Sequence, residues 1–136
     1  MATKSYRVEG TVNRARFVTQ DTSADNTVSE ADANEVIHGI SQLGGDLAPI
    51  PSNSQTTEAA TDGNYINVHS IEGEVVLLEY GDTVTRGDRL KADADGKGVP
   101  IAGSGGNQNV GALALVSGVA GVLGSVMIRK ETVYVA

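Results

Sequence analysis

Apolar and polar positions alternate in short stretches along most of the chain, and Gly, Asp and Asn separate the stretches. A period of two broken by such residues predicts strands joined by tight turns. Tyr6 and Val8 alternate with polar neighbours in SYRVEG, and residues 65–69 (YINVH) alternate again. Val75-Val76-Leu77-Leu78 is a continuous apolar run between Glu74 and Glu79, the pattern of a strand covered on both faces. Val36 to Ile40 reads as a short buried strand. Arg89 to Ala92 leads through an Asp95-Gly96 turn into Val99 and Ile101, a hairpin pattern. Residues 110–116, 122–129 and 132–135 supply three closing strands. Ser29 to Glu35 (SEADANE) fits one or two helical turns with Ser29 as N-cap and Asp32 answering it. A loop is the alternative there, because Asp and Asn are poor in helix interiors. Leu47 to Ile50 is a short extended piece ended by Pro49 and Pro51, and Ser52 to Gly63 is polar and predicts a mobile surface loop.

The fold class that follows is all-β with little helix, a small barrel preceded by an extended N-terminal arm. Residues 1–20 form the arm and first strand, and residues 21–136 a single β-rich domain. The first strand is only half apolar, which places it at a sheet edge or over another subunit. A faint internal echo suits a barrel built from two similar halves. Arg16-Phe17-Val18, Asp25-Asn26 and Val36 to Gly39 run parallel to Arg89-Leu90-Lys91, Asp95-Gly96 and Val110-Gly111.

Composition thins the core. Aromatics are 4%, with no Trp and one Phe, so assembly is expected to contribute to stability. The net charge of -7 weighs against direct nucleic-acid binding, which needs cations to displace counterions from phosphate. The distribution says more than the sum. Lys4, Arg7, Arg14 and Arg16 precede residue 17, and no Lys or Arg follows until Arg86. A basic arm before an acidic body is a device for reaching an acidic neighbour. Cysteine is absent, which excludes disulfides and thiolate metal sites. The start, MATKSYRVEG, lacks the apolar core of a signal peptide. Val110 to Ile128 is uncharged and near the roughly 20 residues of a spanning helix. Its glycines and serines instead predict two strands around a turn at Ser117 to Gly121, and no membrane partner.

No catalytic, metal or cofactor set is visible. His38 lies in an apolar run and reads as a core or edge imidazole; His69 alternates outward from its strand and is expected to be exposed. Neither has metal-ligand spacing, and no serine has a nucleophile context. Asp93 to Lys97 departs from a calcium loop where Lys97 and Ser104 replace ligands. Arg86-Gly87-Asp88, the Gly103 to Gly106 run and the GDTVTRGD string reduce to turn chemistry. The last shares the GDxVxxGD turn of biotinyl and lipoyl carriers without their modified Lys beside Met.

The order of blocks is more specific than any one motif. VLLEYGDTVTRGDRLKADADGKGVPIA followed by QNVGALALVSGVAGVLGSVMI resembles bacteriophage capsid decoration (cement, head-stabilising) proteins, and the upstream FVTQDTSADNTVSEADANEVIHGISQLGGDLAPI resembles the same family. The likeness runs from about Arg16 onward. It implies a barrel or tulip-like β-sandwich without enzymatic activity. Such a protein binds the outer surface of the capsid in the virion, often as a homotrimer, and braces the major capsid protein against internal DNA pressure. Lys4, Tyr6, Arg7, Arg14, Arg16 and Phe17 are then the candidate contacts to capsid or neighbouring copy. A carbohydrate- or host-receptor-binding virion appendage is the alternative, with its site on the loops at Ser52 to Gly63 and Gly103 to Gln108. The scarcity of aromatic rings argues against it.

Overall fold

The computed structural model describes residues 4–42, 59–60, 62–63, 65–103 and 105–135. They form strands and turns without a helix. The strands are β1 (Lys4–Val8), β2 (Val12–Asn13), β3 (Phe17–Gln20), β4 (Thr27–Glu30), β5 (Gly39–Gln42), β6 (Ala59–Ala60), β7 (Tyr65–His69), β8 (Val75–Glu79), β9 (Arg89–Ala92), β10 (Gly98–Pro100), β11 (Gly106–Ala114) and β12 (Leu123–Val135). The all-β expectation is met. Among the described residues no helix is long and apolar enough to cross a membrane; Val110 to Ile128 lies in β11, the turn after it and β12.

Five strands close a barrel in the order β1-β4-β3-β5-β7. β1 pairs parallel with β4 and antiparallel with β7, with Arg7 opposite Thr27 on one side and Tyr65 on the other. Alternation then sends Tyr6, Val8, Val18, Val28, Ile66 and Val68 into one buried cluster. The expected extended arm is therefore corrected: residues 4–20 supply three strands, and β1 and β3 are each paired on both sides. A half-apolar strand is what a small barrel needs, since one face fills the interior and the other is wet.

The second sheet has the order β10-β9-β11-β12-β8. A parallel bridge between Tyr80 and Gly98 brings its two outer strands together. β11 and β12 form a long hairpin with a bulge between Val110 and Ala112, and the two closing strands expected after Val122 are one continuous strand. The main core lies between sheet and barrel: Leu78, Tyr80, Leu90, Val126 and Ile128 meet Phe17, Ala31, Ile37 and Ile40. Gly124 is required beneath Tyr80, because a Cβ there would run into the ring; the Tyr80 hydroxyl donates to Val116 O at 2.8 Å.

Three further expectations are corrected. β8 is not covered on both faces: Val76 and Leu78 are buried, but Val75 and Leu77 are 48% and 42% exposed. Of the two readings of Ser29 to Glu35 the loop holds and the helix does not: Ser29 and Glu30 end β4, and residues 32–35 make a turn in which Asp32 N donates to Glu35 Oε1, with Asn34 at φ 60. The strand expected from Val36 starts at Gly39, and Val36 is 69% exposed. The internal echo falls on two different sheets, β3 in the barrel and β9 in the second. Residues 47–50 and 52–58 lie outside the described residues.

Candidate functional site

The second sheet presents an apolar outer face. Register sets directly opposed residues on one side of an antiparallel pair. Val75 opposes Met127, Met127 opposes Leu113, and Leu113 opposes Arg89, so one row crosses four strands. Leu77 opposes Ser125, and Leu115 N donates to Ser125 O, which starts a second row. Val116, Val119 and Val122, at 41%, 57% and 39% exposure, extend the patch over the β11–β12 turn. Exposed apolar side chains gathered on one side of a sheet make this face the candidate contact surface. Arg89 and Arg129 border this face, their Nε atoms 3.2 and 3.3 Å from Glu131 carboxylate oxygens. Sequence reasoning missed this face, although β11 and β12 carry apolar side chains in both phases of the alternation, the signal of a strand apolar on both sides.

The six proposed contact residues do not converge. Lys4 and Arg7 are exposed on β1, where Lys4 Nζ sits 5.1 Å from the Tyr6 ring centroid and donates to Asn26 Oδ1 at 3.0 Å. Tyr6 points inward and Arg14 is half-buried. Arg16 and Phe17 are 8% and 0% exposed and hold the molecule together from within. The turn before β3 carries Ala15 at φ 58 and docks on the second sheet, with Glu79 N donating to Ala15 O and Phe17 N to Gly96 O. That places Arg16 Nη2 3.0 Å from Glu79 Oε1, and Arg16 Nη1 donates to Asp95 O at 2.9 Å. Glu30 and Lys97 complete the cluster at 3.7 Å from Arg16 and 3.5 Å from Glu79. A clamp between two sheets is the role of these side chains, and their burial removes them from any outer contact.

The chain is similar to the head fiber gp8.5 N base of bacteriophage phi29, with a TM-score of 0.64, 18% identity and 97% of each chain covered. The two share a fold. No protein-family model matches the chain, and no curated protein matches it either.

Among the described residues no three His, Cys, Asp or Glu side chains group as a metal site. Asp93 Oδ1 accepts from Asp95 N and Lys97 N at 2.8 and 2.9 Å, so the calcium-like string closes a turn. Asp88 does the same in GDTVTRGD, accepting from Thr85 N at 2.9 Å. Of the loop expected to bind sugars, Gln108 is buried and its amide is bonded both ways to Ala102. His69 corrects its expectation: it is 2% exposed, because the turn after β7 returns Glu74 to 3.5 Å from Nδ1.

His38 stands at the edge of the barrel, its Nε2 2.9 Å from the Tyr6 hydroxyl and the rings edge-on at 84°. Burial lowers its pKa below the usual 6.5, and the charges of Lys130 and Lys4 act in the same direction. A histidine held neutral in the fold takes up more protons when unfolded. Its stabilising contribution is present above pH 6.5 and is lost as pH falls from there toward the depressed folded value. Urea midpoints measured between pH 7.5 and 5 should fall more for the wild type than for His38→Gln. Parallel profiles would refute this.

Proposed function

We propose that the protein is a non-catalytic structural component of a bacteriophage head, seated on the outer surface of the capsid. The observation that carries this reading is the fold shared with a phage head-fiber base over nearly the whole of both chains. The apolar face of the second sheet gives the reading a contact surface, and we assign it to the major capsid protein. Exposed apolar side chains at its centre with Arg89, Arg129 and Glu131 beside them have the composition of an interface core and rim. Repetition over a shell lets many modest contacts hold firmly, and a homotrimer suits local threefold positions. Bridging neighbouring capsid subunits in this way would brace the head against packaged DNA.

Leu77→Asp tests the assignment. The side chain is already 42% exposed, so folding should be preserved while binding to purified DNA-filled heads weakens about tenfold or more. Cryo-electron microscopy of heads incubated with each variant reads the occupancy. Full occupancy by Leu77→Asp would remove this face from the contact, and no ordered density for the wild type would overturn the reading itself.

A further inference from the structure

We propose that a polar groove across the rim of the barrel is a binding site for a neutral oligosaccharide. Three clefts adjoin there. The largest, about 410 Å³, is lined by Lys4, Tyr6, Gln20, Asp21, Asp25 and Asn26 among others. A second of about 310 Å³ shares Gln20 and Thr22 with it and continues to Val36 and His38. The third, about 190 Å³, shares Val36 and Ile37 with the second and ends at Asn109 and Thr132. The first two fall within the usual size of ligand sites, and the whole is a track rather than a hole.

The loop that forms the main cleft is built in advance. Asp21 N donates to Thr27 O at 2.9 Å, Arg7 N to Asn26 O at 2.8 Å, and Asn26 sits at φ 54. Asp21 Oδ1 accepts from the Ser23 amide and hydroxyl, which hold its carboxyl below the usual range and therefore ionised. Preorganisation of this kind lowers the cost of binding. The side chains facing the groove remain able to bond a ligand. Among the described residues Asp21 keeps its second oxygen, Asn26 uses only Oδ1 on Lys4, and no partner engages the side chains of Gln20, Thr22 or Asp25.

Chemistry selects the ligand class. Carboxylates accept from hydroxyls, and amide groups both donate and accept, which matches a chain of sugar hydroxyls. With few aromatic rings in the chain, binding here rests on hydrogen bonds, and Val36, 69% exposed between the second and third clefts, supplies the apolar rest that a stacked ring would otherwise give a sugar's C–H face. Across the three clefts Asp21, Asp25 and Glu131 outweigh Lys4 and Lys130, so phosphate and acidic polymers are disfavoured. A peptide would bind best by adding a strand, but the closed barrel leaves no free edge here. The main cleft lies on the barrel, and only the third cleft reaches β11 and β12, where Glu131 also borders the second-sheet face; binding at Asp25 and Asn26 does not depend on attachment to a head.

Saturation-transfer NMR with maltotriose, cellotriose and chitotriose tests it, with a heparin trisaccharide as the anionic control. Transfer to at least one neutral trisaccharide is expected, with affinity about tenfold weaker in Asp25→Ala and in Asn26→Ala. Both positions are exposed, and circular dichroism checks that the variants fold. Absence of transfer from all three neutral sugars, equal binding of the anionic control, or unchanged affinity in both variants would each overturn the proposal.

Discussion

Phe17→Ala should destabilise the protein by about 3–5 kcal/mol and lower Tm by roughly 10–20 °C. Phe17 is the only Phe of the chain and is 0% exposed. Its ring lies in the core that joins barrel and second sheet, so truncation opens a cavity where two layers meet. Rearrangement cannot readily fill it, because few other large side chains are at hand. The same packing makes an opposite prediction at Gly111. A Cβ there would stand 2.6 Å from Phe17 Cε1 and 2.9 Å from Ile37 Cγ1. Gly111→Ala alone should therefore cost about 1–3 kcal/mol through overpacking. Combined with Phe17→Leu, the added methyl moves into freed space, and the double variant should lose less than the two single losses summed. Chemical denaturation of the four proteins gives the cycle. Strict additivity, or a Phe17→Ala variant within about 1 kcal/mol of wild type, would show that the ring is not packed there.

Arg16→Met should cost about 3 kcal/mol or more, because it leaves the buried Glu79 carboxylate without its main partner. Lys97 Nζ, 3.5 Å from Glu79 and more exposed, offsets only part of the loss. Removing both charges is a different experiment. In Arg16→Met/Glu79→Leu the buried pair leaves together, the Glu30 and Lys97 side chains that lose a partner still reach solvent, and stability should return to within about 1–2 kcal/mol of wild type. Urea unfolding with both single variants distinguishes a clamp from an incidental pair. Single variants as stable as wild type would sink the clamp.

These two residues show where sequence reading reached its limit. Arg16 and Phe17 belong to a basic, half-apolar stretch, and by composition that stretch resembles an arm that binds something else. Alternation alone tells which side chains share a face; it does not tell whether the face meets solvent, another chain or a second sheet. His69 misleads for the same reason, since an outward position on β7 was covered by residues that follow it. Val75 and Leu77 err in the opposite sense. An apolar run suggested cover on both sides, yet nothing in the described chain lies over them.

The sequence by itself determined the local elements. Glycine and acidic turns set the hairpins, period-two stretches set β1, β7, β9 and β11, and the missing reactive groups directed attention to surfaces rather than to an active site. Those features are encoded within a few residues and need no distant partner. Only the tertiary structure decided that the N-terminal stretch closes a barrel, that Arg16 meets Glu79 across 63 positions, and that Val75, Met127 and Leu113 form one row on the outer side of the second sheet. Long-range pairing and register fix those outcomes, and a one-residue shift in register would have turned the same side chains to the opposite face.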